Sequence, residues 1–150
     1  MGKKAERSSR ARSLSRRLAL QALYQWQLTG QSGVELLDQY ASDEGYPQVD
    51  ADYFAGILRG VTGAGESLDA TLGALIDRPV AQLDPIEHAV LLIGAYELKN
   101  NLDIPYRVVI NEAVELTKSF GGIDGHKYVN GVLDKLAARL RATEVQAPKE

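Results

Sequence analysis

An all-α fold of about seven helices is what this sequence predicts, and three observations predict it. Apolar residues recur at three-and-four spacing in one segment after another, the pattern of a helix with one buried face. No stretch shows the period-two alternation of a half-buried strand. Start and stop signals stand at the segment edges: Ser32 with Glu35, Asp84 with Pro85, Gly30, and the Gly121-Gly122 pair. At 150 residues, one domain or two small subdomains is the natural organisation. A chain of this length buries roughly 70% of its unfolded surface without a disulfide or metal to brace it.

The first helix is expected over residues 10–28, after a polar arm over 1–9 that is expected to be disordered. Leu14, Leu18, Ala22 and Trp26 line one stripe, supported by Ala11, Ala19 and Leu23. Arg10, Arg17, Gln21 and Tyr24 project on a neighbouring stripe. Guanidinium groups followed by an amide and an aromatic ring suit a phosphate chain and a stacked base. Thr29-Gly30 ends this helix, and Ser32-Gly33-Val34-Glu35, with capping-box spacing, opens a short one through Leu37 and Tyr40.

A loop over 43–49 holds Gly45 and Pro47, after which Phe54, Ile57, Leu58 and Val61 mark a third helix beyond Asp50. Gly60, Gly63 and Gly65 punctuate the next junction, and Leu68, Leu72, Leu75 and Ile76 mark a fourth. The run GAGES at 63–67 lacks the lysine and spacing of a phosphate-binding loop and reads as a helix break. Asp84 as N-cap, Pro85 at the first position and Glu87 beyond it form a second strong start. The following HAVLLIGAYEL is apolar nearly all round, as in a central helix packed on several sides.

Residues 103–140 read as two helices joined by a glycine-rich bend. Pro105 suits a first-turn position; Val109, Ile110, Ala113, Val114, Thr117 and Phe120 share one face, with Glu112, Glu115 and Lys118 on the other. Gly121 and Gly122 are expected to stop the helix through the left-handed conformation that glycine accepts. The last helix repeats the pattern with Val129, Val132, Leu133, Leu136, Ala137 and Leu140, and Asp124 is its expected N-cap. The corner between them, Asp124, His126, Lys127, Tyr128 and Asn130, is more polar than a turn alone requires.

Charge is segregated along the chain. Residues 1–17 hold Lys3, Lys4, Arg7, Arg10, Arg12, Arg16 and Arg17 against Glu6, a net +6 that leaves −9 on the remainder of a chain totalling −3. A basic arm on an acidic body is the pattern of a protein with one face for phosphates. With no cysteine and only His88 and His126, thiolate sites are excluded and a histidine metal site is disfavoured. No apolar run reaches the ~20 residues of a membrane span, and no apolar leader segment follows the basic start, so a cytoplasmic chain is expected. Glu112 and Glu115 lie on a solvated face with nothing to activate them, and there is no G-x-G loop, nucleophile–base pair or metal cluster. No enzyme and no cofactor is expected.

Three blocks, RARSLSRRLALQALYQWQL, LDPIEHAVLLIGAYEL and IPYRVVINEAVELTKSFGGIDGHKYVNGVLDKL, resemble the NusB family of transcription antitermination proteins, the last block most specifically. The resemblance implies two three-helix bundles packed together, here about 10–80 and 81–141 within a single helical domain over 10–141, followed by a flexible tail over 142–150. It implies an RNA-binding adaptor that joins NusE, a ribosomal small-subunit protein, on the boxA element of nascent single-stranded RNA. That pair then enters an RNA polymerase elongation complex and suppresses termination, notably on ribosomal RNA operons.

By position, Arg10, Arg12, Arg16 and Arg17 with Gln21 and Tyr24 look like the family's RNA surface. Asp124, Lys127 and Tyr128 are similar to its second RNA patch, and Glu87 looks like part of the NusE-facing surface. The arm departs from the family where Ser13, Leu14 and Ser15 spread the arginines, and Tyr128 stands where some relatives carry Phe.

Bland readings stand beside these. Trp26 fits the core stripe, whereas Tyr24 lies off it; Tyr128 is either a stacking ring or the first buried residue of its helix. Asp124 is either a cap alone or a negative group in the RNA patch whose removal tightens binding; Glu87 serves as cap residue, partner contact or both. A homodimer that masks the arginine helix is compatible with the sequence, as are two other functions: a helix-turn-helix DNA-binding regulator and the RNA-binding module of an RNA-modifying enzyme.

Overall fold

Seven α-helices and two short 3-10 turns, with no strand, make up the described residues of the computed structural model, 2–148. The chain divides into two compact units, Met1–Ala64 and Gly65–Glu150.

In the first unit, α1 (Gly2–Thr29) begins well before Arg10. Lys3, Lys4, Ala5, Glu6 and Arg7 are good helix formers, Glu6 to Arg10 is a favourable i,i+4 spacing, and no breaker intervenes. Elongation from the packed part of α1 therefore carries through residues that bury nothing. Met1 of the expected arm lies outside the described residues. Gly30, at φ +71°, donates its N–H to the Trp26 carbonyl and closes the helix, as glycine does beyond a C-terminus.

Ser32 caps α2 (Gly33–Tyr40): its hydroxyl accepts the Glu35 N–H while Glu35 accepts the Ser32 N–H, both at 3.1 Å. A 3-10 turn at Tyr46–Gln48 leads to α3 (Ala51–Gly73), where Asp50 accepts the Tyr53 N–H as cap. The third and fourth helices expected from sequence are the two segments of this run, meeting at a kink at non-helical Ala64, within the 63–67 stretch read as a helix break. Leu18, Leu23, Leu36, Phe54, Ile57, Leu58 and Val61 are buried, and Phe54 meets Tyr46 edge-on, with ring centroids 6.1 Å apart. Buried Ser15 accepts the Asp50 N–H at 3.0 Å, fixing α1 to the start of α3.

In the second unit, a 3-10 turn at Val80–Gln82 precedes α4 (Pro85–Asn100), whose cap Asp84 accepts the Glu87 N–H at 3.1 Å. Every residue from Ala89 to Ala95 is buried, as expected of a central helix. Gly94 is needed there: a Cβ would lie 2.7 Å from Leu133 Cδ1. α5 (Tyr106–Phe120) and α6 (Gly125–Leu140) supply Val109, Ile110, Ala113 and Thr117, then Val129, Val132, Leu133, Leu136 and Ala137, to the core. Two ends depart from the expected stripes. Phe120 is 37% and Leu140 39% exposed, because each sits in a last turn beyond the packed face, whereas Leu116 is buried. Pro105 is the N-cap residue of α5 itself.

The bend between α5 and α6 is built differently from expectation. Gly121 is extended (φ −94°, ψ −176°), and the left-handed residue is Asp124 at φ 66°. Gly121 is required for space instead, since a Cβ there would fall 2.8 Å from the Thr117 carbonyl oxygen. Asp124 occupies the N-cap position of α6, but its side chain makes no capping hydrogen bond. Aspartate is among the few residues that accept this backbone region readily.

Where a flexible tail was expected, α7 (Ala142–Gln146) follows, anchored by Arg141 and Glu144. The buried Arg141 guanidinium donates to the carbonyls of Leu98 (2.8 Å), Ile104 (3.0 Å) and Asn101 (2.9 Å), and to Glu144 (2.7 Å). The other Glu144 oxygen accepts the Tyr106 N–H at 2.8 Å. Together they satisfy helix-end groups of both α4 and α5 that those helices cannot satisfy themselves. Lys149 and Glu150 of the expected tail lie outside the described residues.

Candidate nucleic-acid interface

On α1, the periodicity of 3.6 residues per turn brings residues at i, i+7, i+11 and i+14 into one stripe. Arg10, Arg17, Gln21 and Tyr24 have this spacing, and all four are exposed, Tyr24 at 38%. Lys3 and Arg7 are exposed as well and prolong the basic end. The stripe thus runs from cations through an amide to an aromatic ring.

The two remaining arginines are placed elsewhere. Arg12 is half-buried off the stripe. Arg16 is 2% exposed, its Nη2 donating to the Tyr53 hydroxyl at 2.8 Å and its Cζ 5.1 Å from that ring's centroid. Arg16 is therefore an interior residue of the first unit and not part of the exposed stripe. The sequence carries the signal for this: Arg16 is in helical phase with buried Ala19, Leu20 and Leu23, at i+3, i+4 and i+7. Trp26 is half-buried.

The second patch surrounds the α5–α6 bend. Asp124 and Lys127 form an exposed ion pair at 3.4 Å, with Asn130 exposed one turn on. Tyr128 is half-buried, its pKa raised mainly by that burial. Sequence reasoning missed two neighbours, Asp77 and Arg78, which lie more than 45 residues away in the chain. Arg78 Cζ is 4.5 Å from the Tyr128 ring centroid, Arg78 Nε donates to Asp77 Oδ1 at 2.9 Å, and the Tyr128 hydroxyl is 3.4 Å from the same oxygen.

Glu87 belongs to this corner too. Its carboxylate oxygen would be 3.1 Å from a Cβ placed on Gly125, so the missing side chain of Gly125 makes room for it. Partial burial pushes the Glu87 carboxyl above the usual carboxylate range, Asp84 adds to the rise, and Arg78 opposes it. His126 is half-buried. No helix among the described residues is long and apolar enough to cross a membrane.

A model of the NusB family matches residues 13–138. The chain belongs to the NusB family. It is similar to the transcription antitermination protein NusB of Paraburkholderia phymatum, 58% identical over 137 residues, which cover 91% of this chain and 94% of the relative. Its likeness to the NusB of Hahella chejuensis is 51% over 138 residues, covering 92% and 93%.

Among solved structures, NusB of T. maritima superposes with a TM-score of 0.71 at 26% identity, covering 84% of this chain and 89% of that one. A second, the antitermination factors NusB and NusE in complex with double-stranded RNA, gives 0.78 at 25% identity, covering 87% and 98%. The all-α architecture of this NusB-family chain is thus that of the solved NusB structures.

Proposed function

We propose that this chain is an RNA-binding adaptor that, together with NusE, binds a boxA-like element of nascent single-stranded RNA and promotes transcription antitermination, notably of ribosomal RNA operons. The observation that carries the reading is the exposed Arg10–Arg17–Gln21–Tyr24 stripe of α1. Arg10 and Arg17 meet phosphates, Gln21 offers an amide to a base or sugar, and Tyr24 stacks a base. Taken by itself, the α5–α6 corner of the second unit offers Lys127 and Tyr128, a cation and a ring, with Asp124 as the negative group paired to Lys127.

Glu87 is the proposed NusE contact, and the RNA polymerase elongation complex is the machine that the assembly joins. The likeness to NusB proteins and to the solved NusB–NusE complex with RNA supports NusE and RNA as the partners. The role is stoichiometric: the chain binds and hands on RNA, without turnover. If NusE raises the affinity for RNA, RNA raises the affinity for NusE by the same factor.

Titration of the full chain with labelled single-stranded RNA, with and without NusE and at two salt concentrations, tests the proposal. Binding that weakens with salt and tightens with NusE is expected, since each phosphate contact on a single strand makes the slope of log K against log salt more negative by about 0.7. Affinity that ignores both salt and NusE overturns it. Preference for duplex DNA over RNA in the same assay supports the DNA-binding alternative instead.

A further inference from the structure

The segment between α3 and α4 presents a cation that the RNA-binding reading does not use. Arg78 stands over the Tyr128 ring at 4.5 Å, within the range of a cation–π contact, and is tethered to Asp77 at 2.9 Å. Its side chain is 44% exposed and that of Asp77 72%, so the pair faces water. A guanidinium has five N–H donors and a fork that matches phosphate as well as it matches carboxylate. The bond to Asp77 uses Nε, one edge of that fork. The carboxylate thus sits where a phosphate oxygen would sit.

We propose that Arg78 is an RNA-phosphate contact of the α5–α6 corner and that Asp77 is an internal competitor for its guanidinium, displaced when RNA arrives. This rests on the adaptor reading above and adds to it one residue and one sign. Tyr128 serves as the platform: its ring holds Arg78 over the corner while its hydroxyl, 3.4 Å from Asp77, loses only a long contact when the carboxylate swings away. Displacement is easy because an exposed ion pair between sequence neighbours is weak, equivalent to about a two- to fivefold effect at most. Asp77 is also a negative charge beside the phosphate path, so its ionised form opposes binding until it moves.

The two members of the pair therefore act in opposite directions, which no purely structural role predicts. The test is titration of labelled single-stranded RNA at two salt concentrations with the wild-type chain and with Asp77→Asn, Arg78→Gln and Arg78→Lys. Urea unfolding of each variant confirms the fold. Asp77→Asn is expected to tighten binding about two- to fivefold, with the gain shrinking as salt screens it. Arg78→Gln is expected to weaken binding and to lower the salt slope by about 0.7, whereas Arg78→Lys keeps the slope.

Asp77→Asn and Arg78→Gln both weakening RNA binding, or both leaving it unchanged while the wild type binds, overturns this inference alone. A wild-type chain that binds no RNA overturns the adaptor reading, and this inference with it.

Discussion

Arg16 reaches across from α1 to Tyr53 of α3, donating to its hydroxyl at 2.8 Å with the guanidinium 5.1 Å from the ring centre. Arg17, the next residue, is exposed on the outer stripe. Two adjacent arginines in a basic arm thus do different work: one holds the helix to its unit, the other faces solvent.

Substitution separates them. Arg16→Gln is expected to lower stability by about 2–3 kcal/mol, since the buried guanidinium's hydrogen bond to the Tyr53 hydroxyl and its contact with that ring are both lost. Arg17→Gln is expected to leave stability within about 0.5 kcal/mol and to weaken RNA binding with a smaller salt slope. Urea unfolding together with RNA titration checks both; a stable Arg16→Gln protein with lost RNA binding would reverse the assignment.

Tyr24 separates stacking from packing. Tyr24→Phe is expected to bind RNA nearly as well as the wild type, and Tyr24→Ala to lose about 1–3 kcal/mol, the value of one base–aromatic stack. Because the side chain is 38% exposed, neither change is expected to move the unfolding midpoint much.

Asp124 carries both a backbone and a charge requirement. Asp124→Ala is expected to destabilise the fold by about 1 kcal/mol, because alanine tolerates φ 66° poorly. Asp124→Asn keeps the left-handed backbone and removes the charge, so stability holds while RNA binds more tightly. Equal RNA affinity of Asp124→Asn and wild type would reduce Asp124 to its part in the bend.

Glu144 gives a pH prediction. Accepting the Tyr106 N–H, then pairing with Arg141, holds its carboxyl below the ordinary glutamate range. A depressed folded-state pKa contributes stability above the unfolded value, and that contribution is lost as pH falls through the folded one. Glu144→Gln is therefore expected to destabilise by about 1 kcal/mol at neutral pH. The gap from wild type should close in acid, as followed by thermal unfolding between neutral pH and about pH 3.

What could be read from the sequence was local. Ser32 with Glu35 and Asp84 with Pro85 announce helix starts because a cap acts within three residues. The unbroken apolar surface of α4 announces its central place. The exposed stripe was legible for the same reason, since Arg10, Arg17, Gln21 and Tyr24 share one phase of one helix.

Features that depend on distant partners were not legible. Arg78 gains its meaning from Tyr128, and Arg141 from Leu98 and Ile104, pairs that no periodicity relates. The bend shows a subtler failure. Glycines at 121 and 122 suggested where the backbone turns left-handed, yet Gly121 is there for want of space beside Thr117, and Asp124 makes the turn.

The anchoring of α4 by Arg141 has a consequence for the order of events at the ribosome. Arg141 follows Leu98 by 43 residues, so at ~5–20 residues per second it is synthesised about 2–9 s after the carbonyl it binds. Throughout that interval the far end of the central helix has only water for its unpaired oxygens. Closure of the α4–α5 junction is thus postponed until nearly all of its unit has been translated.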